Sequence, residues 1–388
     1  MIASPYSRNG GALTLGILGG GQLAKMLAQA AYRMGLRTAV IEHGANSPAG
    51  MMTHLEFPDG WTNPDALERF IAASDVVTLE NEFIAPEILE IIAAKRTMFP
   101  APDTVALVQD KLTQKQTFAA ADIPVTPFAA LESPGEAAEF GRLHGFPFII
   151  KTRTLGYDGY GNATARNEGD CAAAFLRFTE GEAPRKLMAE KFVQFTNELA
   201  VMVARNRRGE TAVYPCVETI QERHICRAVL APAPVAPVFQ QKAQEIALAC
   251  VEAIGGVGVF GVEMFLTASG EILFNEIAPR PHNSGHYTIE ACHCSQFENA
   301  VRAVCNLPLG SPEMIAPAAV MINLLGERRG AGVPDSVTDA LRFSKAALHL
   351  YGKHESRPGR KMGHITVLGR TLDEAKEDAA GAANALLW

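Results

Sequence analysis

From Leu13 to about Pro102, short apolar runs alternate with amphipathic stretches, and no other feature limits the fold as strongly. "LTLGIL", "RTAVIEH" and "DVVTLEN" read as strands, while "QLAKMLAQAAYRM", "DALERFIAAS" and "PEILEIIAAK" carry apolar residues at helical spacing. Gly35 stops the first helix and Pro86 starts the third. This order predicts a doubly wound parallel sheet covered by helices.

Beyond it the pattern changes. "FPAPDTVALVQDK" reads as a proline-marked linker. From Lys111 to about Arg205 a helix ("LTQKQTFAAA"), a strand ("FPFIIKTR"), a glycine loop, a helix ("CAAAFLRF") and two strands ("KLMAEKFV", "ELAVMVARN") predict a small α+β unit. After Gly209 come antiparallel-looking strands, the helix "QQKAQEIALACVEAIG", a hairpin from Val257 to Pro279, the helix "SQFENAVRAVCN" and a last helix in "LDEAKEDAAGAANALL".

A chain of 388 residues calls for two or three cores. Its net charge of −7 argues against nucleic acid as a partner, since phosphate backbones need a basic surface. It holds no stretch of eighteen apolar residues to span a membrane, and "MIASPYSRNGGA" lacks a signal peptide's apolar core, so a cytoplasmic location is expected. Seven irregularly spaced cysteines predict reduced thiols. Cys292, His293 and Cys294 are too closely spaced for tetrahedral zinc and are expected to be incidental to a packed helix.

Five segments can carry chemistry. In "LGILGGGQLAKML", Gly19, Gly21 and Ala24 fit G-x-G-x-x-A, with Glu42 eighteen residues on, where an acidic residue would hold a ribose. That is a dinucleotide fingerprint, and it raises the possibility of NAD. In "VFGVEMFLTASGEILFNEIAPRPHNSGH", a two- or four-residue turn at Ser269-Gly270 sets Glu263 opposite Glu276. Opposed residues have Cβ atoms roughly 4.5–5.5 Å apart, so two carboxylates there call for a compensating cation such as Mg²⁺. A three-residue turn would shift this register. Lys151, at a strand end, precedes a loop with glycines 156, 159 and 161, which suits phosphate oxygens. Arg280, His282, Asn283 and His286 follow the hairpin and could bind an anion. "KHESRPGRKMGH" places four lysines and arginines in an acidic protein, either a phosphate grip or a solvated charge run.

In this order, "GGGQL", "DKLTQK", "GYDGYG", "NEIAPRPHNSGH" and "RPGRKMGH" resemble the ATP-grasp ligases, and among them the N5-carboxyaminoimidazole ribonucleotide synthetases of purine biosynthesis, from about Leu13 to Gly363. The resemblance implies an N-terminal pre-ATP-grasp domain (1–108), a central lid (109–205) and a C-terminal antiparallel-sheet domain with the terminal substrate-phosphate segment (206–388). It also implies a homodimer. The implied substrates are ATP with Mg²⁺, bicarbonate and aminoimidazole ribonucleotide. By motif, Lys111 and Lys151 would contact ATP phosphates beneath the loop Gly156, Tyr157, Asp158, Gly159, Tyr160, Gly161 and Asn162. Glu190, Lys191, Phe192 and Val193 would line the adenine, Glu198 the ribose, and Gln221 and Asn275 the nucleotide. Glu263 and Glu276 would bind Mg²⁺, while Arg280, His282 and Asn283 would handle bicarbonate or carboxyphosphate. Gln22, Leu23, Glu80, Tyr157, Asp158, Lys353, Arg360 and Lys361 would meet the ribonucleotide, and Glu42 would lose its ribose role. Tyr160, Gln221 and Lys111 depart from residues common in the family (a cation, a histidine and an arginine). A formate-dependent glycinamide ribonucleotide transformylase shares the "RPGR"-like segment, and a NAD enzyme would use only the first loop.

Overall fold

The computed structural model describes residues 7–8, 11–156, 161–180, 185–223 and 225–386. The N-terminal alternation forms a five-stranded parallel sheet in the order Glu56–Phe57, Arg37–Ile41, Thr14–Leu18, Val76–Leu79, Thr97–Met98. Thr14–Leu18 is buried throughout, and its neighbours lie on either side of it, so the order reverses at its C-terminal end. Loops diverge at such a point and leave a crevice. The helix Gln22–Arg33 starts there and packs on Gln296–Val304, which joins the sheet to the rest of the molecule.

The expected linker is helical. Pro102 starts a helix over Pro102–Gln109, and Thr104, Val105 and Val108 are buried. Proline at the first helical position loses no hydrogen bond. Asp110 then caps a second helix, Lys111–Ala120, accepting from the N–H groups of Leu112 and Thr113. The two helices therefore abut with a single residue between them.

A four-stranded antiparallel sheet follows in the order Asn162–Ala165, Phe148–Thr152, Leu187–Lys191, Phe128–Leu131, with the helices Pro134–His144 and Glu168–Thr179 packed over it. Phe140, Phe148, Phe175 and Phe178 fill the space between. "ELAVMVARN", which sequence groups with this unit, pairs elsewhere. Phe195–Arg205 lies inside a nine-stranded antiparallel sheet, against Gly258–Thr267 over most of its length. Its apolar run is buried on both faces, which a sheet of four short strands cannot provide.

That large sheet runs Ile272–Ala278, Gly258–Thr267, Phe195–Arg205, Val217–Glu222, Ile225–Ala231, Ala318–Leu325, Lys361–Gly369, Ala346–Leu350, with Thr211–Val213 attached to Phe195–Arg205. The helices Pro237–Ala253 and Leu372–Asn384 pack against it. The C-terminal segment thus continues the sheet that carries the hairpin. All seven cysteines are free and buried. Among the described residues no helix is long and apolar enough to cross a membrane.

Candidate functional site

The hairpin turn has three residues. Thr267 N–H donates to Glu271 O at 2.9 Å, and Gly270 sits at φ +80°. Beyond it Leu266 pairs with Ile272, Phe265 with Leu273 and Met264 with Phe274, a register that would set Glu263 opposite Asn275. Instead Asn275 bulges out of the ladder, and Glu263 pairs with Glu276. The opposition of the two carboxylates expected from sequence is present, but it arises from a β-bulge and not from the turn.

The two glutamates differ in surroundings. Glu276 forms a short ion pair with Lys111, which holds its carboxyl well below the usual range. Glu263, whose side chain is only 19% exposed, is raised by burial and then by the charge of Glu276. A neutral imidazole faces it: His282 Nε2 lies 3.6 Å from Glu263 Oε1, and burial with the nearby Arg280 pushes His282 down to about 3. Two opposed carboxylates offering only oxygen, with Glu198 adding a third negative field, fit a hard dication such as Mg²⁺.

Glu198 faces the same region and is raised to about 7, by burial first, while accepting a hydrogen bond from Gln221. Glu190 is buried between two lysines, 2.7 Å from both Lys115 and Lys151, with Thr126 Oγ1 donating at 2.7 Å. The carboxylate expected beside an adenine therefore points inward and anchors Lys151. Lys191 and Phe192 continue outward as an exposed strip, and Val193 is half-buried. Beside Lys151, Thr152 N–H donates to Gly161 O at 2.8 Å, and Gly161 has φ +90° with Asn162 following in the strand. Tyr157, Asp158, Gly159 and Tyr160 lie outside the described residues, with Gly156 at their border.

After the hairpin, Arg280 is gripped by both carboxylate oxygens of Glu82, with Nη2 to Oε1 at 2.9 Å. Glu82 was not among the expected site residues, although it lies two positions from Glu80, which was. His282 is held by its backbone: its N–H donates to Gln296 Oε1 at 2.9 Å, and its carbonyl accepts from Gln296 Nε2 at 2.7 Å. Asn283 exchanges hydrogen bonds with Asn323 at 2.9 and 2.6 Å. His286 does not join this group. It is fully buried and faces His364 at 4.9 Å between ring centroids. Cys292 and Cys294 follow the short helix Thr288–Ala291, and burial raises both thiols to about 12.

The first glycine loop is occupied by the protein's own carboxylates. Gly20 N–H donates to Glu42 at 2.8 Å, Gly21 N–H to Glu80 at 2.8 Å and Ala24 N–H to Glu80 at 3.1 Å. A Cβ on Gly19 or Gly21 would lie 2.4 or 2.6 Å from the Glu80 side chain, so the glycines admit Glu80. A pyrophosphate would meet two carboxylates where it needs free amides, which opposes a dinucleotide here. Leu23, expected to face substrate, is in the hydrophobic core, because the first helix turns that position inward. Gln22 lines a cleft of about 360 Å³ with Gly20, Gly21, Ser47, Lys353 and Arg360. Lys353 donates to Lys361 O at 2.7 Å and is lowered to about 8 by burial and Arg360. Lys361 acts electrostatically on Lys353, Glu263 and His282 alike.

Residues 12–109 match the ribonucleotide synthetase preATP-grasp domain, 116–297 the ATP-grasp domain and 319–378 the phosphoribosylaminoimidazole carboxylase C-terminal domain. The N5-carboxyaminoimidazole ribonucleotide synthase of Bacillus subtilis is 36% identical over 360 residues, covering 93% of this chain and 92% of that one. The chain belongs to the N5-carboxyaminoimidazole ribonucleotide synthase family. The synthetase of Thermotoga maritima superposes with a TM-score of 0.86 at 41% identity, covering 97% of this chain and 99% of that one. The synthase of Aspergillus clavatus, solved with ADP and 5-aminoimidazole ribonucleotide, gives 0.86 at 36% identity, over 96% and 98% of the two chains. The phosphoribosylaminoimidazole carboxylase of Candida albicans is 42% identical over 378 residues. This chain spans 94% of its own length in that match but only 65% of the longer fungal protein. Membership of the synthase family places the strand-turn-helix at Gly19–Ala24 in a preATP-grasp domain, so its likeness to a dinucleotide loop reflects shared local geometry.

Proposed function

We propose that this chain uses ATP to carboxylate aminoimidazole ribonucleotide with bicarbonate, giving N5-carboxyaminoimidazole ribonucleotide, ADP and phosphate. One arrangement carries the reading: the Glu263–Glu276 pair stands between two lysines that can meet phosphate, Lys111 and Lys151, and the Arg280–His282 loop, with the basic cleft beyond.

The nucleotide phosphates lie against Lys111 and Lys151, with Glu198 and Gln221 at the ribose and the strip from Lys191 to Val193 along the base. Glu263 and Glu276 would hold Mg²⁺, which when bound neutralises phosphate charge. A bicarbonate oxygen attacks the γ-phosphorus, and the bond to ADP breaks. Arg280 holds the carboxyl oxygens of the carboxyphosphate, oriented by Glu82. His282, kept neutral by burial and Arg280, can accept a hydrogen bond from the amine of the ribonucleotide as it attacks the carboxyl carbon, and the departing phosphate carries off the amine's proton. Lys353 and Arg360 grip the ribonucleotide phosphate across the cleft from Gln22. Glu80 acts on this end by fixing the glycine loop that forms the cleft wall.

The direct test is ADP release with bicarbonate, with and without aminoimidazole ribonucleotide. Full turnover is expected only with both. Turnover with formate and glycinamide ribonucleotide, or none with any amine, overturns the reading. Within it, Arg360→Ala removes a charge-assisted contact worth about 1.5–3 kcal/mol. The KM for the ribonucleotide is expected to rise by about 10- to 100-fold, with the KM for ATP nearly unchanged. The opposite pattern in steady-state kinetics would move Arg360 to the nucleotide.

A further inference from the structure

Near the Arg280–His282 loop lies a second polar cluster, whose three residues have no part in the reaction above but which adjoins Tyr351, with Lys353 over its ring at 5.7 Å. Ala346–Leu350 and Lys361–Gly369 are antiparallel neighbours, and their register sets His349 directly opposite His364. The two imidazoles stack with centroids 4.3 Å apart. Glu290, from the short helix Thr288–Ala291, reaches the same place, with its Oε1 2.7 Å from His349 Nε2, close enough to accept from it. One donor atom from each of the three residues lies within 4.8 Å of the others.

We propose that Glu290, His349 and His364 form a binding site for a divalent first-row transition metal of the Zn²⁺ class. None of the three is assigned a role in the proposed reaction. Two atoms in it lack partners. His364 is fully buried, and its Nδ1 contacts Tyr351 Oη at 3.0 Å while its Nε2 has no hydrogen-bond partner. Glu290 Oε2 is also buried without a partner. Buried polar atoms are nearly always satisfied, so orphaned atoms beside a third donor call for something between them.

The chemistry of the donors selects a cation. In the tautomer that gives Nδ1–H to Tyr351, His364 Nε2 presents a lone pair, as does the carboxylate of Glu290. A ligand imidazole held through its other nitrogen by an oxygen is how such sites orient histidine. Two nitrogens and one oxygen favour Zn²⁺, Co²⁺ or Ni²⁺ over Mg²⁺, which sets this cluster apart from the all-oxygen pair Glu263–Glu276. His349 and Glu290 are 23% and 21% exposed, which leaves a route in and room for water as a further ligand. Bonds of about 2.0–2.2 Å require the donors to contract modestly, a movement of side chains on three separate elements. A bound ion would pin the segment following Asn283 to two strands of the large sheet.

The test uses the full chain, stripped with chelator and then given ZnCl₂ in the presence of excess Mg²⁺ to occupy the acidic pair. After desalting, about one equivalent of zinc per chain is expected, with a raised thermal midpoint. His349→Ala, at a partly exposed position, and Glu290→Gln are expected to weaken zinc binding by about 100-fold and to abolish the thermal shift. Circular dichroism establishes that each variant folds. Co²⁺ substitution is expected to give visible bands without thiolate charge transfer. Zinc not retained by the unsubstituted chain means that water fills the cluster, and the proposal falls. It falls equally if both variants retain as much zinc as the parent, or if thiolate bands place the metal on buried cysteines.

Discussion

Glu276→Gln is expected to lower Mg²⁺-dependent ATP turnover by about 100-fold or more while the chain keeps its fold. The amide has the shape of the carboxylate but lacks its charge. In the protein that charge opposes Glu263 across the hairpin and forms the ion pair with Lys111. Without it, a dication at the pair keeps only one charged carboxylate, Glu263, and loses much of its hold. Lys111 is not stranded, because Glu190 and Glu263 also act on it electrostatically, so the global penalty stays small. The measurement is ADP release against Mg²⁺ concentration, with circular dichroism as the folding check. Turnover near that of the unsubstituted chain would remove Glu276 from the phosphate-transfer machinery.

That pair also marks where sequence suffices and where it fails. The alternation of Leu13–Pro102 was legible because each parallel strand and its covering helix carry their own periodicity. The opposition of the two hairpin glutamates was legible too, but the turn and bulge that produce it were not. A three-residue turn and a one-residue bulge shift the pairing in opposite directions, and neither Gly270 nor Asn275 announces the other. Partnerships between distant segments were less visible still. Glu80 was assigned to the ribonucleotide by motif, and nothing in the sequence ties its carboxylate to the glycine loop that it closes 59 positions earlier. Gln296 sits in an ordinary amphipathic helix, but its amide clamps both backbone groups of His282. Pro102 was taken as a break in structure when its local chemistry equally begins a helix. Leu23 was given to the substrate together with Gln22 through the motif "GGGQL", although consecutive helical residues point about 100° apart.

Glu190→Gln is expected to destabilise the fold by about 3–5 kcal/mol at neutral pH, since it leaves two buried ammonium groups without their shared counter-charge. The side chains of Lys115, Glu190 and Lys151 are 3%, 4% and 14% exposed, so water can do little to compensate. Although burial opposes ionisation, Lys151 and Lys115 together hold the Glu190 carboxyl well below its ordinary value near 4.5. A folded-state value below the unfolded one stabilises at pH above the unfolded value, and that stabilisation is lost as pH falls through 4.5 toward the folded value. The difference between parent and variant in urea unfolding should therefore be widest near neutrality and shrink on acidification. Lys115→Met provides the contrast. Burial outweighs the attraction of Glu190 and lowers Lys115, and in this variant Glu190 keeps Lys151 and Thr126. A methionine of similar length is expected to cost much less than Glu190→Gln, because an apolar replacement removes a desolvated charge instead of exposing one. Equal losses for the two variants would mean that the lysines pack chiefly through their methylene chains, and that Glu190 is not the group fixing Lys151 in place.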